Sequence, residues 1–479
     1  MEHNEDTYGS MGRRSLFNDR RLDRRFFQLV EKVAEGESVN ISKISSGRSQ
    51  QISFYRLLGN DKLSEAKIIR TIEESCQGKV EEGVHYILPS DSSDMNLENH
   101  LGRLKVSETS AIGPINDFHT GFFLHPVLVM EARTERCIGF SSVYIWSREP
   151  MQKNKKERKY KSLPIEEKES YKWIKTAEES KNILKKASMV TIVEDREGDI
   201  FEEWARIPDS KTHLLVRASQ NRVTEGGMLY EYLSSQPVIS TMQVELRGDI
   251  RKEKTKRLAS LEVRAAEVVI KRPEKFPEES PYPKSLRLRA IEVKEVTSSV
   301  PKGEKPILWR LLTTHTLESL EKIMDVIKWY SKRWYIEQLF RLMKKEGLKI
   351  EESELETPEA IRRLALISLT SALKVMMLLL ASKNDTSQRL EDEFTAEEAE
   401  CLDVLCKEYE GNTEKQKNPY ERHSLRWASW IIARIGGWKG YQSQHKPGPI
   451  TFITGLEKFN SLMLGWELAK NRYQFVYTP

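Results

Sequence analysis

Three carboxylates stand where a chain can bring them together. Asp91 follows the apolar run Val84–Leu88, Asp195 follows the apolar run Met189–Val193, and Glu337 lies within YSKRWYIEQLFRLMK, residues 330–344. That last stretch has no Gly or Pro and reads as helix. At about 100° per residue, Tyr330, Arg333, Glu337 and Lys344 fall within roughly 60° of arc. Trp329, Ile336, Phe340 and Met343 fill the neighbouring arc, which would face a core. Carboxylates gathered in one place repel unless cations stand between them, and oxygen donors in open geometry suit Mg²⁺ or Mn²⁺. Two such ions about 3.5–4 Å apart activate a water or a 3′-hydroxyl and stabilise the leaving oxygen in phosphodiester cleavage. Arg333 and Lys344, one and two turns either side of Glu337, are suited to phosphates, and the Tyr330 hydroxyl can donate to one. Alternatives stay open at this point. Asp94 can replace Asp91, Asp199 can replace Asp195, an Asp after a strand is commonly a turn residue, and Glu337 can pair with Arg333 or Arg341 on an ordinary helix edge.

The elements that must position these residues follow a simple order. Leu22, Phe26, Leu29, Val30 and Val33 recur at helical spacing in residues 1–70, and Leu63–Thr71 suggests another helix. Val84–Leu88 then reads as a strand, and Gly121–Ala132 and Cys137–Ser147 as a hairpin across Arg133–Arg136. A helix (Tyr171–Lys186), a strand (Met189–Val193), a short helix (Asp199–Arg206) and a strand (His213–Ala218) come next. Residues 223–312 are largely β, with partly alternating strands at 260–272 and 285–296 and a last strand at Leu308–Thr313. One helix is expected from about Leu317 to Glu346, and residues 357–479 are helical. Without the β-rich stretch, this is the order of an α/β, ribonuclease-H-like sheet, in which strands one and four are neighbours. Asp91 and Asp195 would then sit side by side, with Glu337 brought against them by the following helix.

The chain has 479 residues, 38% hydrophobic and 31% charged, with a formal net charge of +5. This is a globular composition. No long apolar run like a membrane span or a signal peptide stands out, so a cytoplasmic location and no membrane partner are expected. The four cysteines form no CxxC and no zinc pattern, so a bound metal would rest on carboxylates. Basic residues cluster at 13–25, at Lys153–Lys161 and at Arg251–Arg257, which favours a polyanionic partner.

The motif Y-x2-R-x3-E-x6-K (Tyr330, Arg333, Glu337, Lys344) resembles the signature of the insertion-sequence-four family of bacterial DDE transposases. Asp195-Arg196-Glu197-Gly198-Asp199-Ile200 is similar to that family's second-aspartate block, and Asp91-Ser92-Ser93 resembles its first. Gly121–Ala132, GEKPILWRLLT (303–313), RWASWIIARIGGW (426–438) and FNDRRLDRRFFQLV (17–30) look alike in the same order. The resemblance implies a DDE triad of Asp91, Asp195 and Glu337 binding two Mg²⁺ ions, with Mn²⁺ as a substitute. It implies cut-and-paste transposition: a nick at the transposon end, a DNA hairpin, its opening, and joining of the 3′-hydroxyl to target DNA. Trp309 would receive a flipped base, Tyr330, Arg333 and Lys344 would hold adjacent phosphates, and Arg217 would be a further DNA contact. Residues 1–70 would form an N-terminal helical domain binding the transposon end through Arg20, Arg21, Arg24 and Arg25. Residues 71–365 would be the ribonuclease-H-like core with its antiparallel insertion at about 223–312. Residues 366–479 would be a helical dimerisation domain, with Trp427, Trp430, Phe452, Leu456, Phe459 and Trp466 in its stripe. The expected partners are double-stranded DNA, as transposon ends and target, and a second protomer in a synaptic complex at the bacterial nucleoid. A structure-specific nuclease on the same fold and a non-catalytic transposition inhibitor are the competing readings.

Overall fold

A computed structural model describes residues 16–36, 38–105, 111–149, 163–246, 256–383, 388–441 and 446–476. The basic run Lys153–Lys161 lies outside the described residues, as do Arg13, Arg14, Arg251, Lys252 and Lys254.

The chain opens with helices α1 (Arg20–Gly36), α2 (Ile41–Ile44), α3 (Arg48–Leu58) and α4 (Glu65–Gly78). Strands β1 (His85–Pro89) and β2 (Ser93–Asn96) follow, then the two-residue β3 (Gly113–Pro114) and the hairpin of β4 (Thr120–Glu131) and β5 (Cys137–Trp146). Glu135 turns that hairpin with φ of 62°. Helix α5 (Tyr171–Ile183) leads to β6 (Met189–Glu194), and α6 (Phe201–Arg206) leads to β7 (Thr212–Arg217). The insertion holds β8 (Val223–Thr224), β9 (Gly227–Met228), α7 (Leu229–Ser235), β10 (Ser240–Leu246), β11 (Arg257–Lys271) and β12 (Ser285–Glu295), and β13 (Leu308–Thr313) closes it. Helices α8 (Leu320–Ser331), α9 (Trp334–Arg341), α10 (Pro358–Lys383), α11 (Ala396–Tyr409), α12 (Leu425–Ile435) and α13 (Pro449–Val476) complete the chain.

One mixed sheet joins all the strands. β5, β4 and β1 are antiparallel neighbours, β1 pairs β6 in parallel, and β6 pairs β7 in parallel. β13, β12 and β11 then extend the sheet beyond β7 as antiparallel strands. Strands buried on both faces read as continuous apolar runs, which is why Met189–Val193 carries no polar alternation beyond Thr191. Ile87, Val193, Leu215 and Leu311 join one apolar cluster on the side of α8–α13. Leu88, Ile192, Leu214 and Val216 join the other, under α5 and α6.

Two expectations about long elements change. The helix read from 317 to 346 is broken. Lys332, Arg333, Tyr335 and Ile336 donate their amides three residues back, so a tight turn separates α8 from α9. A π-turn, Leu342–Glu346, then follows α9. The boundaries read near residues 70 and 365 fall inside α4 and α10. The helices either side share one apolar cluster, in which Phe26, Leu29 and Phe54 join Leu366, Leu369, Trp430 and Phe452. Helix α10 is long and apolar enough to cross a membrane, but 89% of its apolar window is buried inside the protein. It is the central post of the helical layer.

Helices α12 and α13 cross in close contact. A Cβ on Gly455 would stand 2.1 Å from the Ile432 carbonyl oxygen, and one on Gly436 would stand 2.0 Å from that of Thr451. Ile453 of α13 in turn packs on Gly347, just after the π-turn. Gly455→Ala should therefore push the two backbones apart and cost about 1–3 kcal/mol, read as a lowered urea midpoint. An unchanged midpoint would show that the crossing can relax freely.

Candidate active site

The first carboxylate sits in a gap in a ladder. β1 and β2 both pair with β4 in one continuous register, from Tyr86↔Glu131 through Ser90↔Val127 to Ser93↔Leu124. In that register Asp91 stands opposite Pro126 and Ser92 opposite His125. Proline has no N–H for the ladder, and pairing lapses at Asp91 and Ser92. The Asp91 carboxylate accepts the Ser92 amide at 2.8 Å, and the Ser92 hydroxyl meets His125 Nδ1 at 2.9 Å. His125 is fully buried against the Trp173 ring. Burial, then Lys172, holds its pKa far below the usual range, so it is a neutral partner.

The second carboxylate comes from the parallel pairing. Pro89 pairs with Val193, so Asp91 and Asp195 each lie two residues beyond a matched pair at the same end of the sheet. The third comes from the broken helix. Arg333, in the turn between α8 and α9, bridges Asp91 Oδ2 at 2.8 Å and Glu337 Oε1 at 2.5 Å. Tyr330, at the end of α8, donates its hydroxyl to Asp195 Oδ1 at 3.3 Å. Trp329, the residue before it, is anchored edge-on against His85 and packs on His315. The four buried apolar positions expected on this helix edge are all buried: Trp329, Ile336, Phe340 and Met343.

The charges are poorly solvated. Burial pushes the Asp91 pKa up to about 6. The Ser92 amide and Arg333 pull it down, while Asp195 and Glu337 push it further up. Burial, then the Asp195 charge, raises the Tyr330 phenol to about 12, so it remains a donor. Burial disfavours the Arg333 charge, but Asp195 and then Tyr330, Glu337 and Asp91 outweigh it and raise the pKa.

The other expected residues fall around this group. Trp309 on β13 is half-buried and meets the Tyr330 ring edge-on at 5.5 Å between centroids. Arg217 ends β7 and donates to the Leu308 carbonyl at 3.0 Å, beside Trp309. Lys344 is tied inward. Its ammonium donates to the Asp94 carbonyl at 2.8 Å and pairs with Glu351 at 3.1 Å and with Asp94 at 3.5 Å. Arg20, Arg21, Arg24 and Arg25 lie on the exposed face of α1 and do not touch the carboxylates. The two alternatives also separate. Asp199 is buried and consumed by Arg222, Trp204 and Ser219, so Asp195 is the one that faces the site. Asp94 serves Lys344, whereas Asp91 shares Arg333 with Glu337.

Sequence reading passed over a second pair of carboxylates. Glu194, next to Asp195, and Glu203 on α6 are both fully buried and lie near each other. Among the described residues, no hydrogen-bond partner reaches either Glu203 oxygen or Glu194 Oε2. Burial pushes both pKa values up, and the Glu194 charge raises that of Glu203 further. A glutamate ending an otherwise apolar strand was the visible signal. A histidine inside GFFLHPVLV was the signal for His125.

Among the described residues, no three His, Cys, Asp or Glu side chains converge closely enough as placed to hold a metal ion. The donor set nevertheless suits a hard divalent cation: three carboxylates act on one another electrostatically, and a cation, Arg333, already lies between two of them. No protein-family model matches the chain.

The proton on Asp91 has a stability consequence. Its folded pKa, about 6, exceeds the ordinary 3.8. Between those values the native state holds a proton that the unfolded chain has lost. This contribution is complete below about pH 4 and is lost as pH rises through about 6. Asp91→Asn should therefore gain on wild type from pH 4 to pH 7.5 in thermal unfolding with EDTA, and a pH-independent difference would refute the raised pKa. Asp199→Ala, which strands buried Arg222, should cost about 3–5 kcal/mol, whereas Asp195→Ala should leave stability nearly unchanged.

Proposed function

We propose that this chain is a DDE transposase of the insertion-sequence-four type. It binds the inverted-repeat ends of a DNA element, nicks them, forms and opens a hairpin, and joins the 3′-hydroxyl ends to target DNA. One observation carries the reading. Arg333 bridges the carboxylate beyond β1 and that on α9, and Tyr330, three residues before it, donates to the carboxylate beyond β6, as the order of motifs would require. The strand order β5–β4–β1–β6–β7, three antiparallel strands followed by two parallel ones, supports a ribonuclease-H-like core, with the β-rich insertion between β7 and β13.

Asp91, Asp195 and Glu337 would hold two Mg²⁺ ions, or Mn²⁺, which would supply activation of the attacking hydroxyl and charge neutralisation at the leaving oxygen. The protein's own residues do the placing. A phosphate entering beside Glu337 offers Arg333 a bidentate partner in exchange for its carboxylates. Tyr330, kept protonated, donates from the Asp195 side. Trp309 presents an aromatic surface next to Tyr330 on which an unstacked base can lie. Arg217 steadies the Leu308 carbonyl beside that tryptophan and adds positive charge. The exposed arginines of α1 suit the phosphates of a DNA end. Trp427, Trp430, Phe452, Leu456 and Phe459 are buried in the core, whereas Leu462, Leu464 and Leu468 of α13 are exposed and suit a contact with a second protomer. The cellular setting that fits this chemistry is the bacterial cytoplasm, on nucleoid DNA.

The test is incubation with Mg²⁺ and linear DNA carrying the element's own ends. Hairpinned ends and strand-transfer products are expected. Nicking of branched DNA alone would indicate a structure-specific nuclease, and binding without cleavage would indicate a transposition inhibitor. Asp195→Ala or Glu337→Ala should reduce cleavage by more than a thousandfold while end binding persists, and normal cleavage by either variant would remove the triad assignment. Trp309→Ala should slow hairpin formation more than the first nick. Equal loss at both steps would make Trp309 merely structural.

A further inference from the structure

Beyond Glu337, the chain builds a lysine-lined cleft in which Lys344 is the sole expected site residue among the described lining. The π-turn Leu342–Glu346 ends at Gly347, and Lys349 then adopts φ of 53°, a left-handed conformation that a non-glycine side chain adopts at a cost of about 1–2 kcal/mol. Lys344, Lys345 and Lys349 line a cavity of about 340 Å³ together with Asn96, Asn99, Glu351 and Glu352. In a regular helix, Lys344 and Lys345 would diverge by about 100°; π-turns inside helices often mark functional sites.

The charges in the cleft do not cancel. Glu351, which also lines it, is used internally: it takes the Lys344 ammonium at 3.1 Å and the Asn96 amide at 2.9 Å. Lys349 faces Glu352 at 3.1 Å, but both side chains are more than half exposed, so this pair holds little. Lys345 is exposed, and among the described residues no carboxylate pairs with it. An unpaired ammonium on Lys345, a weakly held one on Lys349 and side-chain amides in one polar cleft suit a phosphodiester backbone. The position matches as well. Lys344 fastens the cleft to Asp94, three residues beyond Asp91 along the chain.

We propose that this cleft is a second phosphate-binding subsite, in which Lys345 and Lys349 grip the backbone of the DNA strand leading away from the carboxylates. Lys344, expected to hold phosphate, is instead the tie that positions the cleft. The inference rests on the nucleic-acid reading above, and the experiment separates the two.

The measurement is fluorescence anisotropy with a random-sequence 30-base-pair duplex in EDTA, across a salt series. Lys345→Ala and Lys349→Ala should each weaken binding about three- to tenfold. The double variant should flatten the slope of log affinity against log salt by about two, since each phosphate contact contributes close to one. Lys345→Arg should retain the wild-type slope, and Lys415→Ala, an exposed lysine in the C-terminal helical layer, should change nothing. Both positions are exposed, so unchanged thermal unfolding controls for folding. If wild type binds and the double variant has the same slope, the subsite is wrong and the transposase reading survives. If wild type binds no duplex at all, the subsite and the nucleic-acid reading fall together.

Discussion

The bridge from Arg333 to Asp91 and Glu337 is the interaction on which the site depends. Asp91 stands close enough to Asp195 and Glu337 that their charges raise its proton affinity, in a partly buried setting that screens them poorly. Without a cation between them, the cluster would protonate or splay. The guanidinium supplies that cation from within the chain, and its planar fork reaches carboxylates on two separate elements at once. Arg333 stands at the start of α9, with Glu337 one turn further on and Asp91 reached from beyond β1.

The surrounding structure keeps these charges in place by spending polar groups where apolar ones would pack more simply. Pro126 leaves Asp91 outside the ladder, and neutral His125 steadies Ser92 from below. Glu194 and Glu203 place two buried carboxyls behind Asp195. Such groups lower stability relative to an apolar core, a pattern common where geometry at a site matters more than stability. The helical layer provides the rigidity. Helix α10 runs through its centre, and the α12–α13 crossing backs the π-turn. Cutting the chain near residue 70 or 365 would therefore cut through helices and through one shared core.

Much of the sheet was legible from local pattern. The runs at Val84–Leu88, Met189–Val193 and Leu308–Thr313 were recognisable because strands buried on both faces are apolar throughout. The charge on α1 was legible because Leu22, Phe26, Leu29 and Val33 leave its arginines on the opposite face. The break at Lys332–Arg333, the π-turn and the left-handed Lys349 were not legible. Each is a backbone departure within a run of ordinary side chains, and Gly347 marks only where the π-turn ends. The same holds for Lys344, whose helical phase suggested an outward phosphate hand and whose partners, Asp94 and Glu351, lie at distant or later positions.

By itself, the sequence determined which residue types were available, in what order, and which elements were helix or strand, because these depend on neighbours a few positions away. It favoured Asp91 and Asp195 and left Asp94 and Asp199 open as alternatives, since each pair follows the same strand. Only the tertiary structure gave the members of each pair different partners. Arg222, from beyond β7, neutralises Asp199 in a buried pair, and Arg333, from a distant helix turn, reaches Asp91. A carboxylate's role is set by the cation that finds it, and both cations arrive from far along the chain.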